Sequence, residues 1–109
     1  MRINTNNKIF ISGRVSGITY KTAKYNFLRA ERYWQRKGYQ VVNPTKLCNK
    51  KWSWIRCMIV CLWNLAKCRY VYFLPNYTYS RGAKIEFKAA KLLNKVIYFR
   101  YNNNKPIKL

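Results

Sequence analysis

Four short apolar runs, at residues 8–11, 39–42, 70–74 and 96–99, are separated by stretches whose apolar residues recur at helical spacing. The resulting order, β-α-β-α-β-α-β, leaves few ways to fold. Crossovers between parallel strands are right-handed, so the strands are expected to form one parallel sheet with helices on both faces. With the first strand central, a ligand belongs at the switch point, beyond the carboxyl ends of the first and third strands. At 109 residues the chain has the length of one such α/β domain, spanning residues 1–109.

Residues 20–37 carry the clearest helical pattern. Ala23, Phe27, Ala30 and Trp34 form an apolar stripe, with Lys21, Lys24, Arg32 and Arg36 opposite. Gly38, which takes positive φ without strain, stops the helix. A second helix is expected over 52–67, with Trp54, Met58, Cys61, Leu62 and Leu65 on one side. Trp52, Trp54 and Trp63 give it more large apolar surface than one sheet face covers, so a homo-oligomer is expected. Residues 45–51 read as a basic, irregular loop over the carboxyl edge of the sheet. Residues 100–109, rich in Asn and Lys, read as a basic tail without pattern.

The most informative stretch is Ser80-Arg81-Gly82-Ala83-Lys84-Ile85-Glu86-Phe87-Lys88-Ala89-Ala90. It follows the third strand after the turn at Pro75-Asn76 and reads as the start of a helix. Lys84, Lys88, Lys91 and Lys95 recur at three- and four-residue steps and form a solvent stripe. At roughly 100° per residue, Glu86 lies about 160° from that stripe, facing the sheet. A first-turn glutamate is favoured by the helix dipole, which accounts for about 0.3–1 kcal/mol. A carboxylate at the mouth of a sheet pocket is equally placed to bind hydroxyls or to act as a nucleophile.

Glu86 is also one of two acids, the other being Glu31. Against them stand 23 Lys and Arg, for a formal net charge of +21. Such a field attracts nucleic acid, nucleotide phosphates or anionic surfaces, and does not choose among them. No apolar run reaches the roughly 18 residues needed to span a membrane, and no secretory signal opens the chain, so a cytoplasmic location is expected. There is no histidine and no Cys-x-x-Cys pair among Cys48, Cys57, Cys61 and Cys68. That argues against a metal, and Cys57, Cys61 and Cys68, on one helical face, read as small reduced core residues. No cofactor is expected.

The loop after the first strand, Ser12-Gly13-Arg14-Val15-Ser16-Gly17, has the small residues that let a backbone approach an anion. Its spacing is neither Gly-x-Gly-x-x-Gly nor a Walker motif, so a plain tight turn explains it equally well. Tyr77 and Tyr79, in the loop before the third βα helix, offer rings for stacking. The candidate ligand-binding residues are Ser12, Gly13, Arg14, Ser16, Asn43, Tyr77, Ser80, Arg81, Gly82 and Glu86.

Read together, Ile-Ser-Gly-Arg-Val-Ser-Gly, Gly-Tyr-Gln-Val-Val-Asn-Pro, the Trp-rich helix, Cys-Arg-Tyr-Val-Tyr-Phe-Leu-Pro and Ser-Arg-Gly-Ala-Lys-Ile-Glu resemble the small phage and prophage proteins of the DUF4406 group. These are in turn similar to nucleoside 2-deoxyribosyltransferases. The resemblance covers residues 8–99 and implies a flavodoxin-like (Rossmann-like) fold of four to five strands that binds a nucleoside or nucleotide. It places Glu86 at the transferase nucleophile, which attacks the anomeric carbon and forms a glycosyl-enzyme intermediate.

Four positions depart from that pattern. Arg14 replaces the proline of Ser-Gly-Pro, and Cys61 replaces an aspartate that helps handle the base. Arg69 stands for the aspartate before the third strand, and Thr78 for an acidic residue in the loop before Ser80. With no Asp or His to assist the leaving base, turnover loses its acid while the binding site persists. The expected function is therefore non-catalytic binding of an anionic nucleotide, ADP-ribose-like or cyclic, as a phage-type sequestering protein. The alternatives are an N-glycoside hydrolase or 2-deoxyribosyltransferase with Glu86 as its catalytic nucleophile, and a non-specific nucleic-acid binder.

Overall fold

The computed structural model describes residues 6–15, 18–49, 51–75, 78, 80–100 and 106–108. Its sheet contains β1 (Lys8–Ser12), β2 (Gln40–Val42), β3 (Tyr70–Phe73), β4 (Val96–Arg100) and β5 (Pro106–Lys108), in the order β2-β1-β3-β4-β5. The first four strands are parallel, and β5 runs antiparallel to β4. Four helices join them: α1 (Tyr20–Arg36), α2 (Pro44–Leu47), α3 (Trp54–Lys67) and α4 (Arg81–Leu92). This is the α/β, flavodoxin-like arrangement expected, with chain order reversing between β1 and β3.

Strand alternation sends side chains to two cores. Phe10 pairs with Val71 and Val71 with Ile97, so the three share a face and meet Cys61, Leu65 and Ala90 of α3 and α4. Ile9, Ile11 and Tyr72 point the other way, onto Phe27, Ala30 and Trp34 of α1. Each fully buried Phe, Ile or Leu contributes roughly 1.5–3 kcal/mol relative to exposure. Trp34 is the hub of the second core. Tyr33, Tyr39, Tyr72 and Tyr98 surround it with ring centroids 5.0–5.3 Å away, mostly edge to face.

Local chemistry explains the boundaries. Thr19, Asn43, Ser53 and Ser80 cap α1 to α4, each accepting a backbone N–H from the first turn. Gly38, at φ 93°, lies just past the end of α1, and Asn94, at φ 56°, just past that of α4. Three expectations need correction. Residues 45–51 are not wholly irregular, because Pro44 at the first helical position and the Asn43 cap start the short α2. Within 100–109, Pro106–Lys108 adds an edge strand, satisfying the open edge of β4. Cys57 is not a free thiol: α2 brings Cys48 to a Cα–Cα distance of 5.6 Å, and the two form a disulfide. Among the described residues, no helix is long and apolar enough to cross a membrane.

Candidate functional site

Glu86 sits one turn into α4 and is 5% exposed. Ser12, the last residue of β1, donates its hydroxyl to Glu86 Oε1 at 2.5 Å. Burial pushes the Glu86 carboxyl up to about 7, with the Ser12 hydrogen bond pulling the other way. The carboxylate faces a cavity of about 350 Å³ beyond the carboxyl ends of β1 and β3. The switch point therefore holds both the cavity and the carboxylate, as the strand order implies.

Among the described residues the cavity wall carries no lysine or arginine, and Glu86 is its one charged side chain. Aromatic and apolar groups dominate it, among them Tyr20, Phe27, Trp52, Trp54 and Met58. Its polarity comes largely from helix starts. Tyr20 opens α1, Ser53 and Trp54 open α3, and Ser80, Gly82 and Ala83 belong to the start of α4, all on the wall. None of these helices has an acidic residue in its first turn. Each end is capped by one hydroxyl but meets no acidic side chain in its own first turn, so its positive dipole end, roughly half an elementary charge, is not neutralised there. Among the described residues, cations stand next to the wall rather than on it. The Arg56 guanidinium lies 4.2 Å from the Trp52 ring centroid and that of Arg81 4.2 Å from Trp54, while Arg14 separates the wall residues Gly13 and Val15.

Of the residues singled out from sequence, Gly13, Ser80, Gly82 and Glu86 line the cavity, and Ser12 holds Glu86 from behind. Arg14 and Arg81 flank it. Ser16 and Tyr77 lie outside the described residues. Asn43 is buried but turned elsewhere: its amide donates to Glu31 Oε1 at 3.0 Å, and its oxygen accepts from Thr45 N at 3.0 Å. Its role is to cap α2 and tie it to α1. Glu31 is the centre of that tie, also accepting from Lys46 Nζ at 2.7 Å and Gln35 Nε2 at 3.3 Å. Burial raises its carboxyl, but the bonds from Lys46 and Asn43 outweigh it and hold the group below its ordinary value.

Both described wall glycines have packing reasons to be glycine. A Cβ on Gly13 would stand 2.6 Å from Leu74 Cδ1, and one on Gly82 would stand 2.9 Å from Met58 Sδ. The wall also holds Cys48, Cys57 and Cys61, of which sequence reasoning assigned Cys57 and Cys61 to the core. The Cys57–Cys61 spacing was visible as one helical turn, but Cys48 joins them only through α2, whose position depends on tertiary contacts. Burial, and then the Glu86 charge, push the Cys61 thiol up to about 12.

A protein-family model, the domain of unknown function DUF4406, matches residues 7–99. The chain belongs to the DUF4406 family. The match spans β1 to β4 and so includes every described wall residue of the cavity. A search of curated proteins finds no match.

Proposed function

We propose that this DUF4406 protein binds an anionic nucleotide, or a nucleotide-derived signal such as an ADP-ribose or cyclic-nucleotide compound, without turning it over. The observation that carries the reading is the convergence of three long helices, by their amino ends, on one cavity whose single carboxylate is Glu86. Helix amino ends attract phosphate through free N–H groups and the dipole, with no cation needed on the wall. Trp52, Trp54 and Tyr20 supply faces for a base, and Glu86 is placed to accept hydrogen bonds from ribose hydroxyls. A volume of about 350 Å³ lies in the lower part of the roughly 300–1,000 Å³ range of small-molecule sites. Arg14, Arg56 and Arg81, which neighbour wall residues, would add charge-assisted hydrogen bonds to the phosphates. In the phage setting of the proteins it resembles, binding of this kind would sequester a host signalling nucleotide in the bacterial cytoplasm.

The test is calorimetry with a panel of nucleosides, nucleotides and ADP-ribose, alongside chromatography for released base. Phosphorylated ligands are expected to bind more tightly than their nucleosides, and no base is expected to appear. Glu86→Gln and Arg14→Ala are each expected to weaken binding by about 1–3 kcal/mol. Equal affinity for nucleoside and nucleotide would sink the reading.

A second reading is favoured by one observation. A buried carboxyl whose pKa lies near 7 suits acid–base or nucleophilic work at neutral pH. N-glycoside cleavage through Glu86 is distinguished by liberated base that disappears in Glu86→Gln.

A further inference from the structure

Three of the four cysteines meet at one place on the cavity wall. Cys57 and Cys61 stand one turn apart on α3, and Cys48 is the residue that ends α2. The Cys61 sulfur lies 3.7 Å from Cys48 Sγ and 3.9 Å from Cys57 Sγ. Cys48 and Cys57 are bonded to each other, so a third sulfur rests against both atoms of a disulfide. Cys68, buried at the end of α3, stands outside this group and is an ordinary small core residue.

The spacing fits metal geometry. Thiolates held at about 2.3 Å around a tetrahedral zinc ion lie about 3.8 Å from one another. Both distances made by Cys61 already have that value. Once the disulfide is opened, only the Cys48–Cys57 separation must grow, and these residues sit on different elements, α2 and α3. We propose that reduced Cys48, Cys57 and Cys61 form a three-thiolate site for a thiophilic divalent cation of the Zn²⁺ or Cd²⁺ type, with the fourth position open to the cavity.

The chemistry balances with a dithiol as reductant. It supplies two electrons and two protons, becoming a disulfide as the Cys48–Cys57 bond yields two thiols. Binding of the divalent cation by three thiols then releases three protons and leaves a centre of net charge −1. A chain of formal net charge +21 favours that anionic centre. The donor set is also what this sequence has available: there is no histidine or aspartate, and Glu86 is the one carboxylate sharing the wall. Three protein ligands and an open fourth position is the arrangement of sites that present a metal to a bound molecule.

The experiment uses the full chain, reduced with a dithiol under argon, freed of reductant and titrated with Co²⁺. Thiolate-to-cobalt charge-transfer absorption is expected to saturate at one ion per chain and to vanish when Zn²⁺ or Cd²⁺ is added. Cys61→Ser and Cys48→Ser, checked for folding by circular dichroism, are expected to lose the saturable band, and Cys68→Ser to keep it. The oxidised protein is expected to show none. Should the variants not fold, alkylation of the reduced wild type decides. Zn²⁺ is expected to slow labelling of Cys48, Cys57 and Cys61 in mass mapping and to leave Cys68 unchanged. No saturable band in the reduced wild type, a band that survives in folded Cys61→Ser or is lost in Cys68→Ser, binding by the oxidised protein, or equal labelling with and without zinc would each overturn the proposal.

Discussion

Glu86 is held in a state that costs the fold stability. Its carboxyl, ordinarily near 4.5, is pushed by burial to about 7. In that window the native chain keeps a proton that the unfolded chain has released, so stability falls as pH rises from about 4.5 to 7 and is flat above. Above pH 7 the penalty is about 3 kcal/mol, at roughly 1.4 kcal/mol per pKa unit. Glu86→Gln removes the charge and keeps the shape. It is expected to raise the unfolding free energy at pH 8 by about 1–3 kcal/mol and to change it little at pH 4.5. Urea denaturation at the two pH values measures this, and an equal effect at both would mean that burial of the charge is not the cause. Gly13 behaves in the opposite sense. Gly13→Ala puts a methyl 2.6–2.9 Å from Leu74 side-chain atoms, so a loss of about 1–3 kcal/mol is expected in the same assay, at either pH. A glycine required only by a ligand would leave stability unchanged.

At the scale of elements, what could be read from sequence was what repeats. The stripe of α1 and the inward placement of Glu86 follow from helical periodicity, and both appear in the fold. The switch-point cavity follows from strand order. What escaped was set by contacts between elements. The dipeptide Asn43-Pro44 ends a strand and begins a helix with the same two residues, and only the second role builds α2. From there Asn43 turned to Glu31 instead of the cavity, and Cys48 turned to Cys57. The hydroxyl of Ser12 likewise goes to Glu86 across 74 residues of chain, a partnership that no local pattern contains. Glu31 is the residue on which α2 depends. Glu31→Gln should cost about 1–2 kcal/mol, since Asn43 keeps an acceptor while the Lys46 pair, exposed on the lysine side, is worth little. The pH sign opposes that of Glu86. The Glu31 contribution is present above the ordinary value of 4.5 and lost as pH falls through the lowered native value. A Glu31→Gln penalty as large in acid as at pH 7 would contradict this assignment.

Over the whole molecule, charge and apolar surface pull against each other. Ile55, Ile59 and Trp63, each 64–66% exposed, recur at four-residue steps along α3 and form an exposed apolar stripe, with Lys67 Nζ 5.2 Å from the Trp63 ring centroid at its end. A stripe of this kind fits a second copy of the chain, and we propose that the protein forms a homo-oligomer through α3. Each copy nevertheless carries a formal net charge of +21, so two copies repel at long range. Salt separates the two forces. Raising ionic strength from 0.1 to 1 M shortens the screening length from about 10 to about 3 Å, which removes repulsion and leaves apolar burial intact or stronger. Self-association should therefore tighten with salt, the reverse of the behaviour expected for an assembly bridged by nucleic acid, whose affinity collapses as counterions compete. Sedimentation velocity across a salt series reads the sign directly. Ile59→Lys, placing a charge in the middle of the stripe, is expected to keep the protein monomeric throughout. Dimers that dissociate as salt rises, or an Ile59→Lys variant that associates like the wild type, would show that α3 is not the contact.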